Sequence, residues 1–155
     1  MPLRIQKYDD RLNPISGQAV LNPNWVTTEG GLPDEAVRFA EDFGKYLTDP
    51  FKKGNRTFPG RNALTTTQLR NFFSEIRRIQ AKGYDDNTSD FYMLKPKLAY
   101  AKARVDSRNR IGDFVQALTE LINQVIGSEK PKESFSNFVK FVEATVAYHK
   151  AYGGK

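Results

Sequence analysis

The sequence predicts an all-α fold, a single-domain bundle of about five helices behind an irregular N-terminal arm, and three observations carry that reading. Five stretches repeat apolar residues at intervals of three and four, which gathers them on one face of a helix. Residues that start and stop helices bracket those stretches. No stretch alternates apolar and polar residues convincingly enough to read as a strand.

Residues 1–32 are the arm: Pro14, Gly17, Pro23, Gly30 and Gly31 interrupt every short apolar piece, and Trp25 offers a means of packing it down. The bundle occupies residues 33–155. Its first helix, 33–47, opens on Pro33 with Asp34 and Glu35 at the positive end of the helix dipole, and aligns Ala36, Phe39, Ala40, Phe43 and Leu47. A basic loop with two prolines and two glycines follows, from Thr48 to Ala63. The second helix, 65–81, starts among three threonines able to cap free amides and stops before Gly83; Leu69, Phe72, Phe73, Ile76 and Ile79 face inward, with Arg70 and Arg77 on the rim and Arg78 further out. The third, 89–105, contains Pro96, which removes a backbone donor and predicts a kink or break at Lys95. The fourth, 107–126, and the fifth, 133–152, carry the remaining apolar stripes, with His149 among the inward residues of the last. Their spacing suits one core.

Composition bounds the function. With 155 residues, 39% hydrophobic and 27% charged, the chain belongs to the globular range. It has no cysteine, which excludes disulfides, thiolate nucleophiles and cysteine zinc sites. No signal-peptide core or membrane-length apolar run is present, so a soluble, cytoplasmic protein with no membrane partner is expected. The formal charge is +6, and it is unevenly placed: between Lys52 and Arg110 fourteen basic residues face five acidic ones, a surplus of nine, while the rest is net negative. A localised surplus points to a polyanion-binding face.

Catalytic groups are not apparent. His149 lies on an apolar face with no nucleophile identified for it, which reads as a packed histidine. Asp85, Asp86 and Asp90 share a turn entering the third helix; they read as turn and capping residues, with Ser89, in preference to a metal site. Gly30-Gly31 and Gly153-Gly154 match no phosphate-binding loop. No enzyme activity, cofactor or metal is expected. Phe51, Phe58 and Tyr84 fall outside the core stripes near basic residues and offer faces for base stacking.

Two segments, LTTTQLRNFF and FYMLKPKLAYAKAR, together with the ending EATVAYHKAYGGK at 143–155, resemble the small helical subunit of type III-A (Csm-type) CRISPR-Cas interference complexes, and the helix order from residue 33 onward is comparable. The resemblance implies a non-catalytic subunit, copies of which line up along the crRNA-bound backbone of the complex and flank target RNA beside other subunits. The expected contacts are then Lys52, Lys53, Arg56 and Arg61 in the loop, Arg70, Arg77 and Arg78 on the second helix, and Lys97 and Arg104 on the third. Arg104 has a second reading, as an ion-pair partner of Glu143 joining the third and fifth helices. Two other functions fit the charge: a generic helical nucleic-acid-binding protein, and a purely structural protein-interaction adaptor.

Overall fold

The computed structural model describes residues 2–154. Helices dominate, as expected, but two antiparallel hairpins join them. The arm is not irregular. Strands β1 (Arg4–Tyr8) and β2 (Pro14–Val20) pair across a turn closed by Asp9, whose carboxylate accepts the amides of Arg11 and Asn13 at 2.9 Å each. A 3₁₀ turn, Pro23–Thr27, then drops Trp25 and Val26 into the core, and Leu3, Ile5, Tyr8 and Leu21 are buried with them. The strand alternation is masked in the sequence because a register irregularity between Gln6 and Tyr8 turns Tyr8 inward where strict alternation would put Lys7.

Helix α1 (Asp34–Leu47) leads into the second hairpin, β3 (Pro50–Lys53) and β4 (Arg56–Pro59), in what the sequence predicted as loop. Helix α2 (Thr66–Lys82) follows. Thr65 caps it as foreseen, by a reciprocal capping box with Gln68: the Gln68 amide reaches the Thr65 hydroxyl at 3.1 Å and the Thr65 amide the Gln68 side chain at 2.8 Å.

The third predicted helix is two, α3 (Thr88–Tyr92) and α4 (Leu94–Ala103), and the break falls at Met93, not Lys95. Pro96 thereby sits in the first turn of α4, where its missing N–H has no partner to lose. Asn87, not Ser89, holds the N-cap position of α3. Helix α5 (Ile111–Ile126) starts later than the predicted 107, because Asp106 turns the chain back by accepting the Arg108 amide at 2.9 Å. Helix α6 (Pro131–Ala151) completes the chain.

Helices α1 and α6 run side by side at the centre. They approach closely at Gly44, where any Cβ would sit 2.7 Å from the His149 nitrogen and the Tyr148 Cβ. Phe39, Phe43, Phe114 and Phe141 stack around that seam with ring centroids 5.4–6.3 Å apart, and Trp25 joins from the 3₁₀ turn at 5.6 Å. A second aromatic group, Tyr84, Phe91, Phe135 and Phe138, closes the end formed by α3 and the start of α6. Tyr84 is therefore a core residue, 5% exposed, and offers no face for stacking on a base. Residues from the first hairpin, the 3₁₀ turn and all six helices belong to one continuous hydrophobic cluster. Among the described residues no helix is long and apolar enough to cross a membrane.

Candidate nucleic-acid interface

The expected contact residues fall into two groups with different surroundings. Lys52, Lys53 and Arg56 project from the β3–β4 hairpin, with Lys53 opposite Arg56 across the register, and Arg61 follows on the link into α2; all four are exposed. The segment from Pro50 to Pro59 contains no acidic residue, and among the described residues no carboxylate lies within ion-pair distance of these four. Phe51 and Phe58 pack on each other at 5.7 Å, so the hairpin's aromatic residues brace it, while Phe51 keeps 49% of its surface.

A structural clamp fixes the base of this hairpin. The Arg110 guanidinium bonds the Asp49 carboxylate at 3.0 Å, donates to the Tyr46 carbonyl at 2.6 Å and to the Tyr8 hydroxyl at 3.1 Å, and lies 4.1 Å from the Tyr46 ring centroid. Asp49 in turn accepts the Asn62 amide at 2.9 Å, and the Asn62 carbonyl accepts the Arg110 amide at 2.8 Å. Tyr46 donates to Asp113, and burial, with that bond, raises its phenol pKa well above the ordinary value. Arg110 thus belongs to the basic surplus in sequence yet serves as scaffold, because a guanidinium fork can satisfy several acceptors at once.

Arg70 and Arg77 project from the outer side of α2. Neither has a carboxylate partner among the described residues, and Arg77 lies over the Phe73 ring at 5.6 Å. Seven residues apart, they are two helical turns, roughly 10 Å, from one another. Arg78 and Lys97 differ. Both reach Glu75, at 2.5 and 3.1 Å, and Arg78 also lies 3.8 Å from Asp90. The hydrogen bond from Arg78, then that from Lys97, holds the Glu75 carboxyl down to about 2. Arg104 is exposed and lies over the Tyr100 ring at 5.7 Å; among the described residues it forms no ion pair with Glu143, so the alternative reading of Arg104 does not hold in this structure. Asp85 and Asp86 are exposed in the turn before α3.

One cation near this surface was not legible in the sequence. Arg11, in the β1–β2 turn, lines the same groove as Lys52, Gly54 and Asn55, which sequence separation hid. The chain's ending, 143–155, also has a definite job. His149 donates its Nε2–H to the Leu64 carbonyl at 2.7 Å, just ahead of α2, and burial lowers its pKa from 6.5. Gly154 packs against the imidazole so closely that a Cβ there would overlap the ring. The His149 and Gly154 of the ending therefore form a lock on the junction between the second hairpin and α2. Lys155, its last residue, lies outside the described residues.

Comparison with known proteins bears on the family. The family model described as Csm2 Type III-A matches residues 34–155, from the first residue of α1 onward. Two relatives carry the name CRISPR system Cms protein Csm2. That of Enterococcus italicus is 31% identical over 100 residues, covering 59% of this chain and 69% of the relative. That of Streptococcus thermophilus is 29% identical over 100 residues, covering 62% of this chain and 78% of the relative. No solved structure matches. A helical bundle that matches the family model over its whole helical portion belongs to the Csm2 family, the small subunits of type III-A CRISPR effector complexes.

Proposed function

We propose that this subunit contributes no catalytic group and acts in the cytoplasm by lining the effector complex in neighbouring copies and holding target RNA, and crRNA where the strands run together, through phosphates. The observation that carries the reading is the set of exposed cations without a carboxylate partner among the described residues: Lys52, Lys53, Arg56 and Arg61 around the second hairpin and Arg70 and Arg77 on α2. Such cations release condensed counterions when they meet phosphate, and the resulting affinity is indifferent to base sequence. Guide pairing then supplies specificity. Arg11 extends the surface from the first hairpin. Arg78 and Lys97 take part only by exchanging Glu75 for phosphate, and Arg104 by leaving Tyr100.

The test is binding of unrelated single-stranded RNAs across a salt series. Replacing Arg70 and Arg77 by Ala is expected to weaken all of them alike and to flatten the slope of log K against log salt by about 0.7 for each phosphate no longer held. An unchanged slope removes α2 from the interface. Preference for duplex DNA would instead favour a groove-reading helical protein, and binding indifferent to every cation named would favour an adaptor.

A further inference from the structure

The surface of α3 and α4 is unusual for a solvated one. Tyr100 is 67% exposed, Met93 49% and Tyr92 46%, and the exposed Pro96, Ala99 and Ala103 continue the strip. Positions 96, 99, 100 and 103 are separated by three and four, so on α4 they form one face. Leu94 and Leu98 are buried on the other. This helix is apolar on both sides, which an isolated protein has no reason to maintain.

Beside the strip lies a groove of about 470 Å³ between α4 and the start of α5, its aliphatic walls made by Ala99, Ala103, Val105, Ile111 and Val115. Charge frames it. From Phe91 to Val105 the chain has four cations, Lys95, Lys97, Lys102 and Arg104, and no carboxylate; the carboxylate that does line the groove, Asp106, is paired with Arg108 at 3.2 Å. Lys97 is committed to Glu75 and Lys95 to the Asn123 side chain at 2.8 Å. Lys102, at the groove, has no carboxylate partner among the described residues.

We propose that this strip and groove dock a helical face of a different subunit of the effector complex, one that presents an apolar ridge flanked by carboxylates. The ridge enters the groove, the alanines allow its backbone close, and the carboxylates meet Lys102 and Arg104. Tyrosine, methionine and arginine are the residue types enriched at protein interfaces, and exposed Tyr beside Arg is the usual make-up of their energetic centres. A symmetric pairing of this face with itself would set cation against cation. A nucleic-acid strand would find no hydrogen-bonding side chain on Pro96, Ala99 or Ala103. The inference rests on membership in the complex; it uses none of the six unpaired cations that carry the phosphate reading, and it assigns Arg104 to the protein partner in place of RNA.

The experiment reconstitutes the complex from its subunits and crRNA and titrates this chain into it, reading incorporation by native mass spectrometry and helix content by circular dichroism. Tyr100→Ala is expected to weaken incorporation about tenfold or more while the helices stay intact. Ala99→Glu, a solvent-exposed change, is expected to weaken it more than Ala99→Lys, because the former opposes the partner's carboxylates and the latter adds to the cations. Folded variants that incorporate like the wild type overturn the proposal. So does loss of RNA crosslinks at this strip with assembly unchanged, which would make it a nucleotide platform. Loss of self-association by the free chain, with binding to the other subunits intact, overturns it in favour of a second copy.

Discussion

In the β3–β4 hairpin Lys52, Lys53 and Arg56 end in solvent with no carboxylate in ion-pair reach among the described residues, whereas at the seam between α2 and α4 Arg78 and Lys97 converge on Glu75 at 2.5 and 3.1 Å. Local sequence accounts for half of the contrast: the hairpin contains no acid, while Glu75 stands three residues before Arg78, on the same helical face. The tertiary fold accounts for the other half, since the turn through α3 brings α4 back within side-chain reach of α2 and so lets Lys97 meet Glu75. A count of basic residues therefore measures charge, and availability for a polyanion is set by what each cation already holds. Exposed pairs of this kind add little to stability, but a phosphate must displace the carboxylate before it can use them.

Either side of the contrast is open to substitution. The largest effect is expected from Lys52→Ala, Lys53→Ala and Arg56→Ala together: the salt slope of RNA binding should flatten by about 2, and affinity should fall alike for unrelated sequences in a fluorescence titration. If the triple variant binds as tightly as the wild type, the hairpin is not the RNA face and the contrast loses its functional meaning. Smaller and opposite in sign is Glu75→Gln, which releases Arg78 and Lys97; the slope should steepen by at most about 1.4. The same substitution has an acid signature. Because Glu75 is held near 2 in the folded chain against an ordinary 4.5, its pairs stabilise the fold above pH 4.5 and that contribution fades as pH falls through about 2. Denaturant midpoints collected over that window should lose this part of their pH dependence in the variant.

The smallest effect concerns the lock beneath the junction. His149 is folded in its neutral form with a pKa below 6.5, so the unfolded chain takes up a proton that the folded one refuses. Its contribution is present above the unfolded value and is lost as pH falls from about 6.5 towards the lower folded pKa. Urea midpoints should therefore decline between about pH 7.5 and 5.5, and His149→Gln should flatten that decline. Equal slopes for the two proteins would show that the imidazole charges freely and that the lock is held by Gly154 and the helices alone.

Much of the fold was legible. The Thr65 cap, the apolar stripes of α1, α2, α5 and α6, and the buried, structural character of His149 follow from helical spacing and capping chemistry. The hairpins were partly legible. Two β-prone pieces, Pro50–Lys53 and Arg56–Pro59, flank a Gly-Asn pair, which is a known two-residue hairpin link, but the prolines and charges hid them. In the first hairpin the irregular register obscured alternation. Pro96 marked a discontinuity correctly, but the chain places the proline in the first turn after the break and so shifts the break to Met93.

The apolar stripes of α1, α2, α5 and α6, the cap at Thr65 and the number of charges the middle of the chain must carry were written in the order of residues, because these depend on neighbours within a few positions. Which of those charges remain free was settled by packing. Arg110 becomes a clamp on Asp49, Tyr46 and Tyr8, Lys97 is tied to Glu75, and Arg11 arrives beside Lys52 from more than one hairpin away. An ion pair needs its partner within a few ångströms in space, and only the packed chain sets that distance.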